Sequence, residues 1–412
     1  MLRYLGRWSI LAAVVAALSG TASAAFLFAL DWAGVTRDAH PAIIWLLPLA
    51  GFAVGWIYLQ FGQSVEAGNN LLIDEIHDPR RTVPLRMAPL VAVATVVSHL
   101  FGASVGREGT AVQMGGALAD QTSHRLRLHP EDRRTLLMAG IAAGFASVFG
   151  TPLAGAIFAM EVLAIGKLRV RALFPCLLAA GLADRVGQAW GVRHTHYPLH
   201  ELAPTTVHAV LAVLVAGALF GLIGMVFARS THALGRVVKQ RIAYAPLRPF
   251  LGGIVVAIAV WALDAYRYIG LGIPAIVDAF VQPAGWDFLG KMAFTVVSLG
   301  TGFKGGEVTP LFFIGATFGN ALAPLLDLPF PMLAGLGFVA VFAGAANTPI
   351  AGTIMAMEMF GPAIGPFAAL ACVASYLFSG HAGIYGAQRI GDGKYRWVPA
   401  GVRARFRKRQ AP

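Results

Sequence analysis

Two short glycine-rich stretches place a glutamate inside otherwise apolar sequence. Residues 106 to 110 read GREGT, and residues 305 to 309 read GGEVT. A carboxylate in apolar surroundings is costly unless it is paired, hydrogen-bonded or protonated. The chemistry that such a group can do is to carry a proton and to imitate a free anion. Glu108 and Glu307 are therefore the first candidate functional residues.

The glycines around Glu108 predict a break between two helices. After a break, the next helix presents unpaired N–H groups and the positive end of its dipole, and both favour an anion. Gly106 and Gly109 let the backbone approach a ligand closely. We predict that these amides bind an anion and that Glu108 competes with it. The alternative is that Glu108 only pairs with Arg107 to satisfy a buried loop.

The composition places both stretches in a membrane protein. Hydrophobic residues make up 57% of the chain and charged residues 13%, which is far from the mix of a soluble domain. Several uncharged stretches are long enough to cross a hydrocarbon core of about 30 Å. They are residues 8–30, 41–65, 87–106 and 136–160. We predict an all-α, multi-pass integral membrane protein that has the lipid bilayer as its surroundings.

The first stretch has an alternative interpretation as a secretory signal peptide. Arg3 and Arg7 precede it, and residues 21–25 (TASAA) imitate a cleavage site. The apolar run continues to Leu30, beyond the apolar region expected of a signal peptide, which favours a retained helix. At the other end, the chain stops at Pro412, and we expect no soluble regulatory domain.

The net charge of +12 does not indicate nucleic acid, because the basic residues lie in short connectors and at the ends. Such clusters are typical of cytoplasmic loops. They are residues 77–86, 124–134, 167–171 and 394–409. We predict that all four are cytoplasmic, that both termini are cytoplasmic, and that the protein lies in the inner (plasma) membrane. Residues 87–123 would then enter the bilayer, break at residues 102–109 and return.

An internal repeat divides the chain. Residues 151–161 read TPLAGAIFAME and residues 348–358 read TPIAGTIMAME, with eight identities in eleven positions. A similar offset pairs Glu108 with Glu307 and Thr110 with Thr309. We predict a first half at 1–200, a second half at 201–388 and a short basic cytoplasmic tail at 389–412. Glu161 and Glu358 are interpreted as structural end groups or interface partners.

Interrupted helices at matching points of two halves are typical of transporters with a central binding site. The motifs resemble the CLC anion channel and transporter family over nearly the whole chain. GREGT, GNNLL (68–72) and GEVTP (306–310) are similar to its anion-site motifs, and residues 302–316, GFKGGEVTPLFFIGA, resemble its fluoride/proton antiporter branch. The resemblance implies two inverted repeats with re-entrant, broken helices that meet at the midplane.

The resemblance also implies roles for individual residues. Glu108 matches the external gating glutamate that carries the proton, and Val162 stands where chloride exchangers have an inner glutamate. Glu307 is therefore the candidate inner proton relay. The candidate anion-binding residues are Gly68, Asn69, Gly106, Gly109, Thr110, Val308, Thr309 and Tyr385.

Some of these residues have simpler interpretations. The hydroxyls of Thr110 and Thr309 could bond back to a helix carbonyl, and Tyr385 could be an interfacial tyrosine. A metal-binding cluster is suggested by Asp74, Glu75 and His77. Side chains at adjacent positions of a helix point apart, however, which argues against a shared metal ion. We expect no metal, no cofactor and, without a nucleophile motif, no enzyme.

The resemblance implies a fluoride/proton antiporter that exports cytoplasmic fluoride in exchange for protons and so confers fluoride resistance. It also implies a homodimer with a complete pathway in each subunit. The alternative is a chloride channel or a chloride/proton exchanger of the same family, since the architecture supports coupled and passive transport. Fluoride, chloride and protons are thus the candidate substrates, and no nucleic acid is expected.

Overall fold

The chain folds into packed helices whose ends meet inside the bundle. The computed structural model describes residues 2–195, 197 and 199–394. In that part of the chain, strands β1 (Ala164–Ile165) and β2 (Arg389–Ile390) form one short parallel pair. The α-helices are α1 (Leu2–Ala39), α2 (Leu47–Phe61), α3 (Asn69–His77), α4 (Met87–Leu100), α5 (Glu108–Arg125), α6 (Pro130–Phe149), α7 (Pro152–Glu161), α8 (Leu173–Ala189), α9 (Val207–Arg241), α10 (Leu247–Leu263), α11 (Ile273–Asp278), α12 (Asp287–Thr301), α13 (Val308–Leu326), α14 (Phe330–Ala346), α15 (Pro349–Phe360) and α16 (Gly365–Phe378).

Proline and glycine set several helix boundaries. The expected single span at 136–160 is wrong, because it forms two helices, α6 and α7. Gly150 ends α6 with a φ of 71°, a left-handed conformation that suits glycine. Pro152 then begins α7, where its missing N–H costs nothing. The expected break between α4 and α5 is confirmed, and it covers residues 101–107.

Long apolar helices confirm an integral membrane protein. Within the described residues, Leu2–Ala39, Pro41–Phe61, Val207–Arg241 and Val308–Leu326 are each long and apolar enough to cross a membrane. Large apolar side chains such as Trp261, which is 66% exposed, face outwards. These surfaces require a hydrocarbon solvent, since water would make them costly.

A short two-fold bridge joins the two halves at the starts of α5 and α13. The N–H of Gly106 donates to Gly306 O at 2.6 Å, and the N–H of Gly306 donates to Gly106 O at 2.7 Å. This pair is antiparallel. Helices α5 and α13 begin just after it, at Glu108 and Val308, so the two helix N-termini meet inside the protein and the helices run away from each other. The predicted inverted repeat is confirmed.

The bridge corrects the predicted pairing of the two glutamates. Because Gly106 pairs with Gly306 and the helices begin at Glu108 and Val308, Glu108 is equivalent to Val308. Glu307 is equivalent to Arg107, which occupies the same position immediately before its helix. The pairing of Glu108 with Glu307, and likewise of Thr110 with Thr309, is therefore wrong by one residue. Aligning identical residues of the two repeats gave a register that differs by one residue from the register of the backbone.

Two carboxylates cross between the halves and cap helices reciprocally. Glu161, at the end of α7, accepts from the N–H groups of Ile350 and Ala351 at 3.0 and 2.8 Å. Glu358, in α15, accepts from the N–H groups of Leu153 and Ala154 at 2.9 and 2.8 Å. Each carboxylate thus satisfies two of the unpaired N–H groups at the start of the other helix. Their predicted structural role agrees with these contacts.

The basic connectors lie on one face of the molecule. Arg133 donates to the backbone carbonyl oxygen of Arg81 at 2.7 Å, which joins two of the connectors, and it also pairs with Asp120 at 2.6 Å and Glu75 at 3.2 Å. Arg169 lies 3.2 Å from His77, which adds the third. Since Arg7 at the start of α1 pairs with Asp132 at 2.7 Å, the N-terminal end of α1 lies on this face as well. We call this surface the basic face.

The reciprocal caps predict a stability effect for Glu161→Ala. The substitution leaves the N–H groups of Ile350 and Ala351 without their acceptor, and an unsatisfied buried polar group costs about 1–3 kcal/mol. We expect a lower midpoint of thermal unfolding in mild detergent. Glu131→Ala is the control, because its carboxylate is 63% exposed and exposed pairs contribute about 0–1 kcal/mol. Equal midpoints for the two variants would contradict the capping role.

Candidate functional site

Close backbone approach allows the starts of α5 and α13 to meet. A Cβ on Gly106 would lie 2.9 Å from Gly306 O, and a Cβ on Gly306 would lie 2.8 Å from the amide nitrogen of Gly109. Neither distance is compatible with a side chain, so both positions require glycine. The expected close backbone approach at Gly106 is therefore present, and its partner is the second half of the chain.

Glu108 occupies the N-terminus of the opposite helix. Its side chain is 1% exposed. Oε2 accepts from the backbone N–H of Thr309 at 3.0 Å, and Oε1 accepts from the Thr309 hydroxyl. A negative charge there is stabilised by the helix dipole and by donors that would otherwise lack an acceptor. The carboxylate thus stands where a free anion could bind.

Arg107 forms an ion pair with Glu108 but is one of several partners of this carboxylate. Its backbone N–H donates to Glu108 Oε2 at 3.1 Å, and its Nε lies 3.5 Å from Oε1. If Glu108 only paired with Arg107, its carboxylate would need no other donor. It also accepts from the N–H and the hydroxyl of Thr309. Thr309 donates its hydroxyl to Glu108 rather than to its own helix, so its simpler interpretation does not describe this structure.

Helix α3 brings Gly68 and Asn69 to the same region. Gly68 has a φ of 57° and immediately precedes α3, so glycine is required there. A Cβ on Gly109 would lie 3.0 Å from Asn69 Nδ2, which places the Asn69 amide beside the start of α5. Asn69 Oδ1 is buried and has no hydrogen-bond partner among the described residues. An amide with unused bonding capacity therefore lies next to Glu108 and its helix.

Tyr385 reaches the site from the segment after α16. Its side chain is 6% exposed and its ring lies edge-on to Phe158, with centroids 6.3 Å apart. This burial excludes the interpretation of Tyr385 as an interfacial tyrosine. Its hydroxyl-bearing ring lines the same cavity as Asn69 and Glu307.

Amide side chains that the sequence analysis missed hold the Tyr385 segment. Gln388 donates to the carbonyls of Val162 and Ala346, both at 3.0 Å, and accepts from Asn347 Nδ2 at 2.8 Å. Asn70 Oδ1 accepts from the N–H of Ala387 at 2.9 Å. These amides fix the segment through three different parts of the chain. The sequence gives little local signal for Gln388, which stands between Ala387 and Arg389 and close to several glycines.

A wide cavity of about 940 Å³ opens from the site. Glu307, which is partly exposed, lies on its wall together with Asn69 and Tyr385. Basic residues line this wall farther along. Arg229, Arg236, Lys239 and Arg248 were not predicted from the sequence, because they belong to the distant helices α9 and α10. Lys304, from the segment before Glu307, lies on the same wall. A cavity lined by positive charge raises the local concentration of anions.

Not every predicted anion-binding residue contacts Glu108. The hydroxyl of Thr110 forms a 2.7 Å hydrogen bond with the hydroxyl of Thr95, so it is partnered within the first half. Val308 is buried at the start of α13 and offers backbone only. The structure therefore groups Gly106, Glu108 and Thr309 at the bridge. Asn69 lies beside them, whereas Glu307 and Tyr385 line the cavity.

The fold and the site define a CLC-type membrane transport protein, and sequence comparison agrees. Residues 50–380 match the family described as "Voltage gated chloride channel", and the chain belongs to this family. A relative in Pseudomonas syringae pv. tomato, named "Chloride/fluoride channel protein", is 66% identical over 98% of this chain and 91% of its own length. The "H(+)/Cl(-) exchange transporter ClcA" of Vibrio vulnificus is 28% identical over 85% of this chain and 81% of its own.

Solved structures confirm the fold. A structure described as "a CLC-type fluoride/proton antiporter" superposes with a TM-score of 0.92 at 36% identity, covering 95% of this chain and all of the other. "A slow cyanobacterial Cl-/H+ antiporter" superposes with a TM-score of 0.80 at 20% identity, covering 92% and 96% of the two chains. At that lower identity the likeness shows the fold alone. The family consists of transporters and channels.

Proposed function

We propose that this protein is a fluoride/proton antiporter that exports fluoride in exchange for protons and so confers fluoride resistance. The observation that carries the proposal is the position of Glu108, whose carboxylate takes the N–H and hydroxyl of Thr309 at the start of α13. A carboxylate that occupies an anion's donors must leave before the anion binds, and protonation removes its charge. Anion movement and proton movement are thereby coupled.

The donors at the site suit fluoride. Fluoride is small, strongly hydrated and a strong hydrogen-bond acceptor, so removing its water requires compact N–H and O–H donors in a dry site. Thr309 supplies one of each, and Asn69 and Tyr385 add an amide and a hydroxyl nearby. The names of the Pseudomonas syringae relative and of the 36% identical structure support fluoride as well.

Glu307 is proposed as the inner proton relay. Val162, at the position where chloride exchangers have an inner glutamate, is apolar and 2% exposed, so it cannot carry a proton. Glu307 lies one residue before α13 and faces the cavity. It is therefore placed to exchange protons between that cavity and the bridge region where Glu108 lies.

A passive channel, or chloride as the substrate, is the second candidate. The word "channel" and the word "chloride" both occur in the name of the 66% identical relative. In a passive channel Glu108 would only block or open the path, without obligatory proton transfer. Proton movement and anion selectivity therefore separate the candidates.

The proposed division is a first half at 1–200, a second half at 201–388 and a cytoplasmic tail at 389–412. The described start of that tail, β2, pairs with β1 near the basic connectors; residues 395–412 lie outside the described residues. Since Arg7 is on the same face, we propose cytoplasmic termini and a plasma-membrane location, because basic loops are retained in the cytoplasm.

A homodimer is part of the proposal. Helices α7 and α15 carry exposed apolar side chains, including Leu153 at 52% and Ile350 at 48%, which a second subunit could cover. Chemical crosslinking and mass analysis in mild detergent should give twice the 43.4 kDa of one chain. Detection of monomer alone would contradict the dimer.

Purified protein in liposomes tests the transport activity. We expect fluoride efflux down its gradient to drive proton uptake in the opposite direction, because Glu108 must be protonated to release the anion's donors. Fluoride electrodes, chloride electrodes and a pH-sensitive dye measure the three ions in one preparation. Equal chloride transport would contradict the fluoride assignment. Rapid fluoride flux without proton movement would favour the channel.

The two glutamates should respond differently to loss of their charge. Glu108→Gln keeps the size but removes the ionisable group, so we expect proton coupling to be lost, with fluoride flux uncoupled or blocked. Glu307→Gln leaves the donors at Thr309 in place, so fluoride should still bind, while coupled exchange is slowed or abolished. Calorimetry measures fluoride binding, and paired ion fluxes measure coupling.

Glu66→Gln is the matched control for Glu307→Gln. Glu66 lines the same cavity, but it is exposed and lies near Lys239 at 3.8 Å, away from the bridge. Its substitution should leave the ratio of fluoride to protons unchanged. If Glu307→Gln behaves like this control, the relay assignment is wrong. Full coupling in Glu108→Gln would remove the basis of the proposed mechanism.

A further inference from the structure

An apolar crevice of about 420 Å³ separates α2 from α4. Its walls come from apolar residues of the two helices, and Arg86 lies at one end. The apolar residues include Ala53, Phe61, Val93 and Val97. None of these four lines the larger cavity described above; Tyr58 is a wall residue of both spaces.

The packing of α2 explains why the crevice is open. On another side, α2 packs closely against α10, where a Cβ on Gly51 would lie 2.6 Å from Pro249 O. A Cβ on Gly55 would lie 2.8 Å from Pro246 Cα. Small residues let two helices approach closely in a membrane. Helix α2 is thus held against α10, and a gap remains on the side that faces α4.

The crevice opens towards the bilayer. Val93 is 58% exposed and Phe61 is 55% exposed, and both lie on helices that form part of the membrane region. Water in this space would meet almost no hydrogen-bonding group, so an apolar chain is the more favourable occupant. In a membrane, the available apolar chains are those of lipids.

Arg86 gives the crevice a charged end. It lies in the connector at 77–86 on the basic face, immediately before α4. Its guanidinium donates to Ser64 Oγ at 2.7 Å, and among the described residues no carboxylate lies within ion-pair distance of it. The start of a helix adds further positive potential. This end of the crevice therefore attracts an anion.

We propose that the crevice binds an anionic phospholipid, with an acyl chain between α2 and α4 and the phosphate at Arg86 and Ser64. Arg86 itself lines the apolar crevice, so a molecule with an anionic part and an apolar chain fits both features. Anionic lipids also concentrate at the cytoplasmic leaflet, where basic residues attract them.

A bound lipid would support the wall of the ion cavity. Tyr58 is shared by the two spaces, and Lys304 Nζ lies 4.1 Å from the centroid of its ring. Lys304 is three residues before Glu307 on the segment that leads to α13. A chain packed on the outer side of Tyr58 would hold the ring in this contact, so lipid binding and the inner end of the pathway are structurally connected.

Native mass spectrometry of the full chain tests the site, with phosphatidylglycerol as the probe and phosphatidylcholine of the same chains as the comparison. We expect retention of phosphatidylglycerol by the wild type and about fivefold weaker binding for Arg86→Gln, the loss expected for one basic residue. Ala53→Trp, at an exposed wall position, should fill the crevice and weaken binding of both lipids.

Arg171→Gln is the matched control, since Arg171 is exposed in another connector of the basic face and does not line the crevice. It should bind phosphatidylglycerol as the wild type does. Equal retention of the two lipids by the wild type would overturn the proposal. So would equal losses for Arg86→Gln and Arg171→Gln, which indicate general attraction to the basic face, or unchanged binding by Ala53→Trp. Thermal unfolding of each variant confirms that it is folded.

Discussion

The meeting of two helix N-termini at Gly106 and Gly306 is the constraint on which the rest of the structure depends. Two positive helix ends repel each other and leave several N–H groups without acceptors. The reciprocal backbone bridge satisfies the N–H groups of Gly106 and Gly306, just before the two helices. Glu108 supplies the negative charge that the opposite helix needs. An arrangement that is unfavourable by itself thereby becomes a site for an anion.

The same requirement for hydrogen bonding explains the polar residues elsewhere in the bundle. Lipid offers no acceptor for an unpaired N–H group, so broken helices are tolerated only where protein groups satisfy their ends. Glu161 and Glu358 do this between the halves. Gln388 does it for the segment that carries Tyr385. Each of these side chains keeps irregular backbone inside the membrane stable.

The two halves repeat a backbone but not its chemistry. Arg107 of the first half is equivalent to Glu307 of the second half, and Glu108 is equivalent to Val308. Glu108 therefore lies buried on the opposite helix, whereas Glu307 lies one residue earlier and borders the open cavity. A displacement of one residue is enough to give two glutamates different surroundings, because adjacent residues at a helix start project in different directions.

The sequence by itself determined the membrane class, the repeat, the break before Glu108 and most residues of the candidate site, since these follow from composition, glycine positions and distinctive motifs. It did not determine the repeat register at Glu307, the split of residues 136–160, or the roles of Gln388 and the basic residues of α9. Those depend on contacts between segments far apart in the chain. The hydrogen bonds between Gly106 and Gly306 fix the register of the two repeats. The local sequence around a side chain does not show which distant backbone group that side chain will contact.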